Sequence, residues 1–338
     1  MSRPAMPTAV ELASTGAPLP PSLARAAMEE LMDGAASPTQ VAALLAMLRV
    51  RGETADELAA FASVMRERAV PVDAPRDAID LCGTGADGAG TFNVSTVAAF
   101  VVAGAGTPVA KHGNRAITSR CGSADLVEAL GLPLDPGPDA VTALIRETGF
   151  GFIFAPAYHP AMKHAMPIRR ELPMRTAFNL LGPLSSPARV RRQLLGVADA
   201  ALVLRIAGAL AQLEVDRALV VHGADGLDEL SLAGPNRAVL VEDGSATELV
   251  IDSAEYGLER ADVGALAGGD PARNAEIARR VLDGEPGPTR DVVLLNAGAA
   301  LFVGGAAADI PQGVALAAES IGSGRAAAVV ATGSRVAV

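Results

Sequence analysis

The sequence predicts an α/β protein, with a small all-helical N-terminal domain before a large α/β domain built on a central, mostly parallel sheet. Three observations carry this reading. Capping signals and apolar residues spaced i, i+3, i+4, i+7 recur from Ser22 to Met65. A stiff connector follows, Val70-Pro71-Val72-Asp73-Ala74-Pro75. Beyond it, short β-like runs alternate with helices over short connections, the mark of a parallel sheet.

Taken in order, residues 1–21 read as a loose lead-in ending in Pro18, Pro20 and Pro21. Ser22 is placed to cap a helix carrying Leu23, Ala27, Met28 and Leu31, closed by Gly34. Ser37-Pro38-Thr39-Gln40 reads as a capping box with proline at the first helical position, and Val41, Leu44, Leu45 and Leu48 mark one face up to Gly52. Thr54-Ala55-Asp56-Glu57 is a second box, followed by Leu58, Phe61, Ala62 and Met65. The expected strands are Ala78–Cys82, Val109–Lys111, Gly151–Ala155, Leu194–Val197, Ala218–His222 and Leu249–Ile251. The expected helices are Val97–Ala103, Ser123–Leu130, Pro138–Thr148, Ala200–Leu213, Asn274–Asp283, Asp291–Val303 and Gln312–Ser323. Residues 162–190 break the alternation, are rich in Arg and Pro, and are expected to return to the first bundle. The expected division is therefore 1–75, joined by about 165–190, against 76–164 with 191–338.

Composition narrows the function. Half of the 338 residues are hydrophobic, enough for a large core. Aromatics are 3% with no Trp, which disfavours a stacking platform for nucleic acid. Lys plus Arg number 28 against 38 Asp plus Glu, and a net charge of −10 disfavours nucleic-acid or acidic-membrane binding. The N-terminus has no signal-peptide core, and the run Val97 to Gly106 is too short and glycine-broken to span a bilayer. Two cysteines make no disulfide framework, so a reducing, cytoplasmic setting is expected.

The chemistry concentrates between Asp80 and Gly131. Gly83-Thr84-Gly85-Ala86-Asp87-Gly88-Ala89-Gly90 holds four glycines in eight residues, freeing the backbone to turn N–H groups toward a ligand. Thr91-Phe92-Asn93-Val94-Ser95-Thr96 then opens a helix, and a helix start with hydroxyls suits an anion. The spacing fits neither a Walker A loop nor a dinucleotide fingerprint. On glycines alone, a tight turn without ligand would be a fair reading. Lys111-His112-Gly113-Asn114-Arg115 follows a short strand and offers three potential cations, with Thr118, Ser119 and Ser123 as hydroxyl donors. Two such turns in succession favour phosphate over a solvated loop. Leu219-Val220-Val221-His222-Gly223 reads as a buried strand delivering Asp225, Asp228 and Glu229 at its carboxyl end, where α/β sheets bind ligands and paired acids suit Mg²⁺. Alone, these acids would read as an acidic helix start, and His222 as a strand-end structural residue. Among Arg169, Arg170 and Arg175, an arginine near a phosphate site can grip a carboxylate. Arg170 and Arg175 read as salt-bridge residues, and Met162 and Met166 as packing.

Five ordered blocks, DLCGTGADGAGTFNVST, KHGNRAITSRCGSADLVEALG, FAPAYHPAMKHAMPIRRELPMRTAFNLLGPL, HGADGLDELS and LLNAGAAL, together resemble the anthranilate phosphoribosyltransferase family of nucleoside-phosphorylase-like phosphoribosyltransferases. The resemblance implies transfer of the phosphoribosyl group of 5-phosphoribosyl 1-diphosphate to the amine of anthranilate, releasing pyrophosphate, in tryptophan biosynthesis. It implies two Mg²⁺ ions per subunit and a homodimer through the helical domains. Carried over, Gly83, Ala86, Asp87, Thr91, Asn93, Val94, Ser95 and Thr96 would line the phosphoribosyl diphosphate site. Lys111, His112, Gly113, Asn114, Arg115, Ala116, Ile117, Thr118, Ser119 and Ser123 would close it. Ser95, Asp228 and Glu229 would hold the metal. Gly83, Asn114 and Arg169 would contact anthranilate, with His112, His159 and Gly182 nearby. Lys111, Asn114 and Arg169 carry the expected catalytic roles, and His112 is a candidate late proton acceptor. Ala86 departs from the family's usual second glycine, where a methyl costs about 1 kcal/mol if φ is positive. The same fold would also admit a pyrimidine-nucleoside phosphorylase, told apart by phosphate-dependent release of free base, or a non-catalytic nucleic-acid-binding relative, told apart by salt-sensitive DNA binding.

Overall fold

The computed structural model describes residues 4–85, 87–116 and 119–336. Ala86, Ile117 and Thr118, all expected at the substrate site, lie outside the described residues.

Four helices, α1 (Ala5–Ser14), α2 (Pro21–Met32), α3 (Pro38–Arg51) and α4 (Ala55–Arg68), open the chain. The lead-in is therefore not loose. α1 buries Met6, Ala9 and Ala13, and it carries no local cap signal because Pro4 stands at its N-cap. Its N-terminal amide at Met6 instead donates to Glu30, 24 residues away (2.8 Å). α2 begins at Pro21 with Pro20 as N-cap, so Ser22 is not its cap. Ser37 makes no capping bond either, and the preset φ of Pro38 suffices to open α3. The Thr54–Glu57 box is present in both directions, with bonds of 3.2 and 2.8 Å.

The second part runs β1 (Ile79–Gly83), α5 (Val94–Gly104), β2 (Val109–Gly113), α6 (Ser123–Ala129), α7 (Pro138–Thr148) and β3 (Phe150–Phe154). Short helices α8 (Ala155–Tyr158), α9 (Met166–Glu171) and α10 (Phe178–Leu184) lead to β4 (Arg192–Gly196), α11 (Val203–Gln212) and β5 (Arg217–His222). A ribbon, β6 (Asn236–Glu242) and β7 (Ser245–Ile251), precedes α12 (Pro271–Leu282), α13 (Pro288–Val303), α14 (Ile310–Gly322) and α15 (Arg325–Val336). The seven strands lie in the order β3-β2-β1-β4-β5-β6-β7, parallel from β3 to β5 and antiparallel beyond. Strand β6 and most of β7 exceed the sequence expectation. Their Arg and Glu residues hide the apolar alternation, although Asp243-Gly244, both at positive φ (49° and 74°), is a hairpin turn signal. Helix α15 was likewise not expected. Gly324, at φ 76°, ends α14 and lets the chain fold back.

Two cores flank the sheet. Helix α5 is buried along nearly its whole length, as its all-apolar sequence requires, and packs against α13, α14 and α15. On the other face, α11 and the inner residues of β4, β5 and β6 share one core with α1–α4, and Ile168, Phe178, Leu181 and Leu184 of α9 and α10 belong to it. The segment that breaks the alternation thus packs on the bundle. Because the chain leaves β1 for β2 and β3 before returning to β4 on the other side, loops after β1 and β4 diverge. They open a crevice at the strands' carboxyl ends. Among the described residues, no single helix is long and apolar enough to cross a membrane.

Candidate active site

A cavity of about 820 Å³ fills that crevice, walled by the turns after β1, β2 and β5 on one side and by Met65, α9 and α10 on the other. Gly83, Asp87, Thr91, Asn93, Val94, Ser95 and Thr96 line it from the first turn. Lys111, His112, Gly113, Asn114, Arg115, Ala116, Ser119 and Ser123 line it from the second. Asp228, Glu229, His159, Arg169 and Gly182 complete the set. Every described residue expected at the site therefore faces one space.

The first turn holds its shape through Gly85, Gly88 and Gly90, whose φ values of 67° to 73° favour glycine. A strap beyond the sheet pins it: Phe92 N–H donates to Leu266 O (3.0 Å), and Gly268 N–H donates to Gly90 O (2.9 Å). α5 then presents its N-terminal end. The acid pair meets this turn directly. Gly85 N–H donates to Asp228 Oδ2 (2.6 Å), and Ser95 N–H donates to Glu229 Oε1 (3.1 Å). Gly83 permits the approach, because a Cβ there would lie 2.1 Å from Asp228 Oδ2. Burial, and then the charge of Asp87, raises the Asp228 carboxyl above its ordinary range; burial, and then Asp228, raises Glu229. Two hard carboxylates and the Ser95 hydroxyl face the same space, a set of oxygen donors that suits a divalent cation. Among the described residues, no group of three or more His, Cys, Asp or Glu could hold a metal without other ligands. Such a donor set fits Mg²⁺, which takes part of its shell from substrate phosphates and water.

The basic cluster is less basic than its sequence. Lys111 is buried and donates to Leu81 O and Ser95 Oγ (3.4 Å for the latter), under the metal-type residues. Arg115 is paired with Asp125 (2.8 Å) and Glu128 (2.9 Å). His112 is buried against His159, ring centroids 5.2 Å apart, and burial first, then that neighbour, pushes its pKa down to about 3. The imidazole is therefore held neutral and is a weak base. Asn114 shapes the turn: its N–H donates to Ser123 Oγ (3.2 Å), and its Oδ1 accepts from Arg115 N–H (2.8 Å).

On the helical side of the cavity, Arg169 lies partly buried, 5.2 Å over the Phe178 ring, and its Nη1 is 3.8 Å from Met166 Sδ; it forms no ion pair among the described residues. Burial holds its guanidinium below the usual value. Arg170, read from sequence as a salt-bridge residue, forms no ion pair among the described residues and, exposed like Lys163, lines the cavity. Met162 and Met166 also line the wall rather than only filling a core.

Residues 75–327 match the family model described as glycosyl transferase family, a/b domain, and residues 9–69 its helical bundle domain. Anthranilate phosphoribosyltransferase of Chloroflexus aggregans is 53% identical over 305 residues, 90% of each chain. The crystal structure of the Thermus thermophilus enzyme superimposes with a TM-score of 0.92 at 46% identity, covering 97% of this chain and 99% of that one. The chain belongs to the anthranilate phosphoribosyltransferases. The Saccharomyces cerevisiae member, solved in complex with PRPP and Mg, superimposes at 0.88 with 29% identity over 99% of this chain and 98% of that one. The same yeast protein has been solved with 4-fluoroanthranilate.

Within this anthranilate phosphoribosyltransferase fold, three buried asparagines support the site without lining it. Asn236 accepts from Ser231 N–H (2.8 Å) and donates to Ile251 O (2.8 Å), and Asn296 accepts from Leu230 N–H (3.0 Å) and donates to Leu230 O (2.8 Å). Together they fix the loop bearing Asp228 and Glu229. Asn274, in α12, bonds to Asn93 (2.9 Å). Sequence reasoning passed over all three. The available signal was an amide inside an apolar run, as in Leu294-Leu295-Asn296-Ala297, which must find partners when buried. His222, read as structural, has its Nδ1 2.8 Å from Val197 O.

Proposed function

We infer that this cavity is an anthranilate phosphoribosyltransferase site: the enzyme transfers the phosphoribosyl group of 5-phosphoribosyl 1-diphosphate to the amine of anthranilate and releases pyrophosphate. The observation that carries the reading is one cavity lined by an acid pair and two glycine turns and by a partly buried Arg169 that forms no ion pair among the described residues. A diphosphate and a carboxylate are the complementary groups.

The first turn, through its N–H groups and the α5 N-terminus, would bind phosphate groups, and Lys111 would add charge from below. Ser95, Asp228 and Glu229 would hold Mg²⁺, two ions being proposed; bound there, the metal supplies charge neutralisation for the departing pyrophosphate. Arg169 would grip the anthranilate carboxylate, and Asn114 with Gly83 would orient the amine toward C1 of the ribose. His112, His159 and Gly182 would form the wall of that pocket. The aromatic amine is neutral at pH 7, so its lone pair attacks as the C1–O bond to pyrophosphate breaks and its proton leaves afterwards. No general base is assigned, in keeping with neutral His112 and His159.

We further propose the division into 1–75 with about 165–190 and 76–164 with 191–338. It is supported by the matched segments and by α9 and α10 in the bundle core. A homodimer through the helical unit, on which Val50 stands exposed, and a cytoplasmic setting complete the proposal. Purified protein with both substrates and Mg²⁺ should quench anthranilate fluorescence and release one pyrophosphate per anthranilate consumed. No turnover across a range of Mg²⁺ concentrations overturns the reading.

A further inference from the structure

The two glycine turns are joined from behind by a relay of side-chain amides that begins at the cavity wall and ends outside it. Asn93 stands at the start of α5 but makes no capping bond. Its Nδ2 donates to Cys121 O on the second turn (3.0 Å), and its Oδ1 accepts from Asn274 Nδ2 (2.9 Å) and from Cys121 Sγ (3.3 Å). Asn274 is 1% exposed, and its own Oδ1 accepts from Gly269 N–H (2.7 Å). Gly269 belongs to the strap that holds the first turn at Gly90 and Phe92. The strap packs closely on the first turn: a Cβ at Gly268 would meet Phe92 N at 2.7 Å.

The direction of this relay is fixed. The Cys121 carbonyl can only accept and the Gly269 N–H can only donate, so both amides have a single consistent orientation. Three segments that are distant in sequence, the strap at 266–269, the first turn at 90–93 and the second at 121–123, are thereby held in one arrangement. Asn93 and Cys121 face the cavity, whereas Asn274 and the strap do not line it.

We propose that Asn274 is a positioning residue that sets the spacing of the two phosphate-binding turns, and hence the affinity for 5-phosphoribosyl 1-diphosphate. The inference rests on the substrate assignment above. Asn274→Asp is nearly isosteric and keeps the acceptor for Gly269 N–H, but it places a second acceptor against Asn93 Oδ1 and breaks the relay there. The expected result is a rise of at least about tenfold in KM and Kd for 5-phosphoribosyl 1-diphosphate in Mg²⁺, since small misplacements at a substrate-positioning site are costly. KM for anthranilate at saturating co-substrate should be unchanged. Wild-type affinity in a folded Asn274→Asp protein, or an equal rise in both KM values, overturns the proposal. Hydrogen exchange on the wild-type enzyme supplies the test if that variant does not fold. Saturating 5-phosphoribosyl 1-diphosphate with Mg²⁺ should slow exchange at 266–274, which does not line the cavity, and unchanged exchange there overturns the proposal. A wild-type enzyme that fails to bind the ligand at all would instead overturn the substrate assignment.

Discussion

Gly83→Ala tests the metal site through a contact no charge mutation probes. The new Cβ would sit 2.1 Å from Asp228 Oδ2 and 2.8 Å from its Cγ, so the carboxylate must retreat by more than an ångström. Retreat breaks its 2.6 Å bond from Gly85 N–H. A hydrogen bond to a charged group contributes roughly 1.5–3 kcal/mol. If Asp228 holds Mg²⁺ in its present orientation, the metal requirement should rise roughly 10- to 100-fold. The assay is initial rate against Mg²⁺ at saturating substrates, with melting temperature measured alongside. Gly196→Ala is a poorer probe although it crowds the same residue. Its Cβ would lie 1.6 Å from the Asp228 backbone oxygen, so the loop itself would be displaced. An unchanged half-saturating Mg²⁺ in folded Gly83→Ala protein would refute the reasoning, because Asp228 would then have moved without consequence to the metal.

Arg169→Ala should raise KM for anthranilate about 30-fold or more and leave that for the diphosphate nearly unchanged; Arg169→Lys should not restore it, since a point charge cannot make two parallel bonds to a carboxylate. Comparable effects on both substrates in steady-state kinetics would remove Arg169 from the carboxylate role. Glu57→Ala should destabilise the protein by about 3 kcal/mol in urea unfolding. It strands a buried Leu19 N–H (2.7 Å) and the Thr54 N–H (2.8 Å) and leaves Arg51 without its acid. His159→Gln should flatten the acid sensitivity of stability. Burial holds the folded pKa of His159 near 4, against about 6.5 unfolded, so it is neutral in both states above 6.5 and opposes unfolding least as pH falls toward 4. Between pH 7 and pH 4, wild-type stability should fall relative to the variant by about 3 kcal/mol, and parallel profiles would refute this.

Some local signals were legible, although the caps read at Ser22 and Ser37 did not form. The Thr54–Glu57 box, the apolar faces of α3 and α4 and the glycine turns are encoded within a few residues, and each stands as read. α1 was not legible because its cap comes from Glu30 in another helix. β6 and β7 were obscured by charged cross-strand pairs such as Arg237–Glu248. At the site, residue types were readable but their partners were not. Arg115 looks like a phosphate cation until Asp125 and Glu128, on the next helix, are seen to hold it. Arg170 looks like a surface salt-bridge residue, yet it lines the cavity.

Those partners change the electrostatic argument. The run Lys111-His112-Gly113-Asn114-Arg115 suggests three cations waiting for a polyanion. With His112 neutral and Arg115 engaged, Lys111 is the one cation this cluster directs at the diphosphate end, and it is already shared between Leu81 O and Ser95 Oγ. Opposite it stand Asp87, Asp228 and Glu229; burial and then Asp87 push Asp228 up, and burial and then Asp228 push Glu229 up. On side-chain charge alone this end repels the very group it is proposed to bind. The glycine turns and the α5 N-terminus supply partial positive charge through N–H groups, but such dipoles amount to about half a charge at a helix end. A divalent cation between the acids and the phosphates reverses that balance. On the proposed reading, Mg²⁺ therefore helps to hold the diphosphate as well as stabilising its departure.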